Sequence, residues 1–257
     1  MTQQPDKTIN LKQLVLGTHA PQRMIAPIVA DNLRDVLMQG RAIVASPAEI
    51  AEWRLDYLGT VVDFDQLVTT GQALQAILGN IPLIVTNRTA AEGGKTEYSE
   101  AAYIASYRAL IEAEVANAID VEFSQSDHTI AELTHLTNNS DTKLILSHHD
   151  FKGTPLTNDL IFLYSRMAKL NPDMVKLAVT PNSREDVLHL MNATVAADRQ
   201  IEPPIISMSM GDLGKITRVA GELFGSVATF ASVVESSAPG QLSAEHLRTV
   251  MELINLN

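Results

Sequence analysis

The chain has 257 residues, 46% of them apolar, and no cysteine; 19 Lys and Arg stand against 30 Asp and Glu, a net charge of −11. A chain of this length fits one barrel-sized domain or two small ones and buries roughly 70–75% of its unfolded surface. The acidic balance argues against broad nucleic-acid or anionic-membrane binding, which needs a basic face, and the absence of cysteine excludes disulfides, thiol nucleophiles and thiolate metal sites. The opening Met1–Lys7 is polar and carries an acid, unlike a secretory signal, and no stretch nears ~20 apolar residues. A cytoplasmic protein without a membrane span is therefore expected.

In chain order, residues 1–12 are expected to be an arm or a small cap over a barrel bottom. Eight short apolar runs of strand type follow, at Met24–Val29, Ile50–Leu58, Pro82–Arg88, Ala118–Phe123, Lys143–Asp150, Met174–Thr180, Pro204–Met210 and Ser226–Ser232. Each precedes a longer segment that can be helical. Leu160, Leu163, Met167 and Leu170 share one helical face, and Val187, Leu188 and Met191 repeat the pattern. Thr157, Ser183 and Ser243 stand where N-caps belong. Strand followed by helix, repeated throughout, implies a parallel sheet, because parallel neighbours need a crossover. Eight repeats in this length predict one (β/α)8 TIM barrel spanning 1–257 rather than an open doubly wound sheet. No G-x-G-x-x-G follows the first strand, which weakens a dinucleotide-binding alternative.

In such a barrel, polar residues at the C-terminal strand ends read as functional. Glu52, Arg54 and Asp56 fall on one face of the second strand, with Trp53 and Leu55 on the other. The third strand ends at Arg88, with Glu92 just beyond; the fifth ends Ser147-His148-His149-Asp150. Lys176 lies inside the apolar sixth strand. It either reaches water from the outer face or turns inward, where burial near cations favours a neutral amine able to attack a ketone and form a Schiff base. His149 is the matching base, and strand alternation turns His148 away from the mouth, which argues against both imidazoles binding one metal. Glu92 can orient His149 and fix its tautomer. Arg54, Arg88 and Arg218, if they converge, make a positive pocket suited to a carboxylate and hydroxyls. Gly211-Asp-Leu-Gly214-Lys215 fails as a phosphate loop, since Ser209 stands at the first glycine position and Ile216 follows the lysine. Met208 and Met210 read as core, with Ser207 and Ser209 facing the other way.

Seven segments occur in order: Glu52-Trp-Arg-Leu-Asp56, Arg88-Thr-Ala-Ala-Glu-Gly-Gly94, Ser147-His-His-Asp-Phe151, Val175-Lys-Leu-Ala-Val-Thr-Pro181, Ser207-Met-Ser-Met-Gly211, Ile216–Ser226 and Ser237-Ala-Pro-Gly-Gln241. Together they resemble the type I 3-dehydroquinate dehydratases, the Schiff-base class of the shikimate pathway of aromatic amino acid biosynthesis. The resemblance implies a (β/α)8 barrel that dehydrates 3-dehydroquinate to 3-dehydroshikimate with no metal and no organic cofactor, as a homodimer. By motif, Lys176 resembles the Schiff-base lysine, His149 the proton-transfer histidine and Glu92 its carboxylate partner. Arg218 resembles the substrate-carboxylate clamp, Glu52, Arg54 and Arg88 the ring-hydroxyl contacts, and Ser237 and Gln241 the contacts of a closing loop. One departure is Ala26, where family members often carry a serine in the first strand. A class I aldolase on the same barrel and a non-catalytic binder are the alternative readings. The first predicts carbon–carbon cleavage; the second predicts loss of one of Lys176, His149 and Glu92, and all three are present.

Overall fold

A computed structural model describes residues 7–59 and 63–254. A hairpin of β1 (Thr8–Leu11) and β2 (Leu14–Gly17) comes first. Eight parallel strands follow: β3 (Arg23–Ile28), β4 (Ile50–Arg54), β5 (Leu83–Thr86), β6 (Ala118–Glu122), β7 (Lys143–Asp150), β8 (Met174–Val179), β9 (Ile205–Ser209) and β10 (Ala228–Ser232). They alternate with α1 (Leu33–Val44), α2 (Phe64–Leu78), α3 (Glu100–Glu112), α4 (Asp127–Asn138), α5 (Thr157–Ala168), α6 (Arg184–Asp198), the short α7 (Lys215–Val219) and α8 (Gly221–Phe224), and finally α9 (Ala244–Leu253). A two-residue β11 (Leu242–Ser243) adds to β10. The strands pair in sequence order from β3 to β9, and β10 pairs back onto β3, so the sheet curls into the expected barrel. All eight predicted strand regions are present.

Alternation along each strand builds two layers. Ile25, Ile50, Ile84, Ala118, Ile145, Met174 and Ile206 point to the barrel axis, and Leu11 and Leu16 of the hairpin pack in the same cluster. The hairpin thereby closes the barrel at the end opposite the candidate site. Of the arm expected over 1–12, residues 1–6 lie outside the described residues. The alternate residues, among them Trp53, Val85, Val121, Leu146 and Val175, pack against the helices. Ala26 belongs to this outer layer. The register pairs its neighbour Pro27 with Glu52, so Pro27, not Ala26, is the first-strand residue on the inner face at that level.

Three local expectations shift. Ser183 and Ser243 cap α6 and α9, Ser183 in a reciprocal capping box with Asp186. Thr157 is instead the first residue inside α5, and its hydroxyl lies 2.9 Å from His189 Nδ1. Leu170 and Leu188 are exposed; the inward face of α6 runs through Val187, Leu190, Ala193 and Ala197.

The ring joint is tied in two ways. Between β9 and β10 the backbone pairs only at Ile205 and Ser226, and Ser226 Oγ then accepts from Ser207 N at 2.9 Å. At the barrel foot, Glu49 takes Arg23 Nη1 and Arg248 Nη2, each at 2.8 Å, linking β3 to α9. Among the described residues no helix is long and apolar enough to cross a membrane.

Candidate active site

Above the apolar floor, the inward positions of β4 to β8 change from hydrocarbon to charge. Glu52, Arg54, Thr86, Arg88, Asp120, Glu122, Ser147 and Lys176 are all buried. Charged groups survive there only because each is held by others. Lys176 Nζ lies 2.7 Å from Asp120 Oδ2 and 3.6 Å from Glu52 Oε1, and 4.4 Å above the ring of Phe230. Arg88 donates to Asp120 Oδ1 at 2.6 Å, Ser147 Oγ at 2.9 Å and Glu122 Oε1 at 3.2 Å. Burial opposes the charge of Asp120, but Arg88 and Lys176 outweigh it and hold its carboxyl far below the ordinary range. The expectation of neighbouring cations around Lys176 therefore needs correction: its nearest charges are carboxylates, and Arg88 reaches it only through Asp120.

Glu92 is delivered by the tight turn after β5. Glu122 anchors the start of that turn, accepting from Thr89 N at 2.8 Å and Thr89 Oγ1 at 2.7 Å. Gly93 ends it at φ +83°, where an added Cβ would stand 2.4 Å from the Phe151 ring, so only glycine fits. Glu92 Oε2 then accepts from His149 N at 3.0 Å and faces His149 Nδ1 at 2.9 Å, while Oε1 accepts from Ser124 Oγ at 2.6 Å. Burial works against the Glu92 charge, but the two imidazoles and Arg88 overcome it, and its carboxyl titrates well below the usual range. An ionised carboxylate only accepts, so Nδ1 of His149 carries the proton and Nε2 keeps a lone pair. Burial first, then the Arg88 charge, push the His149 pKa down to about 3. The ring is thus neutral in ordinary solution, as a base must be.

A cavity opens onto these groups. Glu52, Arg54, Arg88, Glu92, His149, Lys176, Ser237 and Gln241 all line it, with Phe151, Ala178, Met208, Met210 and Phe230 as apolar walls. Eight of the nine residues singled out from sequence therefore meet in one place. Arg218 does not line the cavity. It is fully buried one layer outward, its Nη2 donating to the Pro239 carbonyl at 3.1 Å and its Nη1 3.7 Å from Met208 Sδ.

The expected positive pocket is also corrected. Arg54 is held by both oxygens of Asp56, at 2.7 and 2.8 Å, and Arg88 by Asp120 and Glu122. Of these three arginines only Arg218 has no carboxylate beside it, and burial lowers its pKa to about 10. Ser237 and Gln241 currently satisfy each other, Ser237 N donating to Gln241 Oε1 at 3.1 Å and Gln241 Nε2 to Ser237 Oγ at 3.0 Å. Their loop rests on the rim at Gly240 (φ +76°), where an added Cβ would lie 2.3 Å from the Gly211 carbonyl oxygen.

Asp120, Glu122 and Ser147 escaped the sequence reading. A signal existed: Asp120 and Glu122 are two carboxylates at period 2 inside the apolar run Ala118–Phe123. His148 follows alternation in leaving the cavity wall, yet its Nδ1 comes to 3.5 Å from Glu92 Oε1.

Comparison with known proteins agrees with this geometry. The family profile described as type I 3-dehydroquinase matches residues 24–257. A 3-dehydroquinate dehydratase of Lactiplantibacillus plantarum is 36% identical over 97% of this chain and 98% of its own. One from Escherichia coli is 37% identical over 97% and 99%. The crystal structure of 3-dehydroquinate dehydratase from Geobacillus kaustophilus superposes with a TM-score of 0.93 at 34% identity, covering 96% of both chains. A Clostridium difficile type I enzyme superposes at 0.90 with 30% identity, covering 96% of this chain and 97% of that one. The chain belongs to the type I 3-dehydroquinase family, a family of hydro-lyases.

Proposed function

We propose that this 3-dehydroquinate dehydratase works through an imine on Lys176, with His149 as acid and base. The carrying observation is the shared cavity: a buried lysine and a buried neutral imidazole, the latter fixed through Nδ1 by an ionised glutamate. Lys176 Nζ, once deprotonated, adds to the C3 ketone of 3-dehydroquinate, and loss of water gives an iminium. Asp120 and Glu52, already beside Nζ, then face that positive charge and stabilise it. His149 Nε2 takes a proton from C2, the electrons moving into the iminium. His149 returns a proton to the C1 hydroxyl, which leaves as water. Water hydrolyses the conjugated iminium, freeing 3-dehydroshikimate and Lys176.

Binding follows from the same wall. Glu52, Arg54 and Arg88 line the same cavity as Lys176, which supports reading them as the groups that hold ring hydroxyls. Ser237 and Gln241 exchange their mutual hydrogen bonds for substrate, and Arg218, which lacks a counter-ion, takes the carboxylate when the Met208 and Pro239 contacts open. The Clostridium difficile relative was solved with covalently modified comenic acid, which supports a site of this class engaging a ligand covalently. The family match argues against an aldolase, and the joint presence of Lys176, His149 and Glu92 in one cavity argues against a non-catalytic binder. A homodimer in the cytoplasm completes the proposal, checked by sedimentation and fractionation. Mixing the protein with 3-dehydroquinate is expected to raise the ultraviolet absorbance of a conjugated enone; no change in absorbance would overturn this reading.

A further inference from the structure

Glu92 has two histidines, and the reaction proposed above uses one. His149 Nδ1 faces Oε2 at 2.9 Å. His148 Nδ1 stands 3.5 Å from Oε1, an ion-pair distance without hydrogen-bond alignment, and no other described group partners that nitrogen. The side chains leave opposite faces of β7, yet the turn carrying Glu92 crosses the strand end and its carboxylate meets both. His148 is not part of the cavity wall and keeps 31% of its side-chain surface accessible.

We propose that His148 is a positioning residue whose ring holds Oε1 of Glu92, and whose charge, once protonated, keeps the neighbouring His149 neutral. The inference rests on the reading of His149 as the proton-transfer group. A carboxylate turns about its last bond, so contacts at Oε1 add to those His149 makes with Oε2 in fixing which oxygen faces the ring. Ser124 holds it from one side, and His148 from the other. The charges bearing on His148 are Glu92 from the turn after β5, Asp150 on its own strand and Glu122 from β6. All three are carboxylates, and Glu92 contributes most to raising the pKa of the ring. The cation that meets the same carboxylate, Arg88, does so at the other oxygen, with Nη1 3.9 Å from Oε2.

As pH falls, the first proton therefore goes to the half-exposed His148 and not to the buried His149. The two rings face opposite oxygens of one carboxylate at 2.9 and 3.5 Å, which sets them several ångströms apart. A charge at that distance moves a titration by ~0.5–1 pH unit. The pair behaves as one coupled system in which the outer ring takes the proton that would disable the inner one.

The test compares pH profiles of kcat/KM for the wild type, His148→Gln and His148→Lys. Gln keeps a polar side chain of similar size without charge; Lys keeps a charge. The acid limb is expected to move up by ~0.5–1 pH unit in His148→Gln and to stay near the wild-type position in His148→Lys. Superimposable wild-type and Gln profiles, or a Lys profile displaced like that of Gln, would overturn the proposal. A direct readout that needs no variant is nitrogen NMR of labelled imidazoles in the wild type, with His148 expected to take its proton before His149. The reverse order would also overturn it, even if neither variant folds. Failure of the underlying mechanism shows separately, as near-normal turnover in His149→Gln.

Discussion

A buried neutral base leaves a thermodynamic trace, and His149 provides the case. Its pKa falls from 6.5 to about 3 in the folded chain, chiefly through burial. Between those values the unfolded chain binds the proton more readily, so acid favours unfolding. The contribution is negligible above the unfolded value and grows by about 1.36 kcal/mol for each pH unit below it, until the folded ring also protonates. From pH 7 to pH 5 the loss works out at about 2 kcal/mol. This is an upper bound, because 10% of the side-chain surface still opens to the cavity. The depressed carboxyls of Glu92 and Asp120 lose their stabilising contribution only below their unfolded values of about 4.3 and 3.9, so they scarcely enter this window. His149→Gln removes the effect while keeping a donor for Glu92. Trp53, the single tryptophan, is fully buried between barrel and helices and reports unfolding by fluorescence. With m near ~3 kcal/mol/M, the wild-type urea midpoint should drop by about 0.7 M more than that of the variant on going from pH 7 to pH 5. Parallel losses in the two proteins would mean that the ring is not held neutral, and the base assignment would lose its footing.

Three further outcomes are expected. Borohydride added with substrate should inactivate irreversibly and leave a stable secondary amine on Lys176; an unmodified Lys176 in the peptide map would rule out the imine. His149→Ala should lose turnover by ~10²–10⁴-fold while still forming the imine, with His148→Ala mild in comparison at neutral pH; an exchange of these behaviours would place the inward register of β7 one residue off. Amide exchange across residues 236–241 should slow strongly in the borohydride-trapped protein, as Ser237 and Gln241 turn from each other to the ligand; equal exchange in free and trapped protein would remove this loop from substrate binding.

Much of the barrel was legible because strands such as Met174–Val179 are apolar over their whole length, and Lys176 stands out against that background. His149 was placed correctly by simple alternation. What stayed hidden was pairing. Nothing in the spacing of Arg54 and Asp56 says that they grip each other by both oxygens, or that Arg88 spends its donors on Asp120, Glu122 and Ser147, three residues brought in by the next two strands, β6 and β7. The positive pocket expected from counting arginines disappears for that reason, and Arg218 alone keeps the character attributed to all three. Ala26 was misplaced by one residue, which in a strand is the difference between the axis and the helix layer. His148 was misjudged differently: alternation set its direction correctly, but a turn from 56 residues earlier brings Glu92 round to it.

The joint of the ring also sets an order of events in synthesis. Strand β3 leaves the ribosome early, while its partner β10 and the Arg248 that shares Glu49 with Arg23 arrive some two hundred residues later. At roughly 5–20 residues per second that is a wait of about 10–40 seconds, during which one edge of β3 shows unpaired backbone groups to its surroundings. Nascent chains of this protein are therefore most exposed to misassociation while seven strands exist and the eighth does not. A chain stopped short of Ala228 would contain Lys176, His149 and Glu92, and no closed wall to hold them in register.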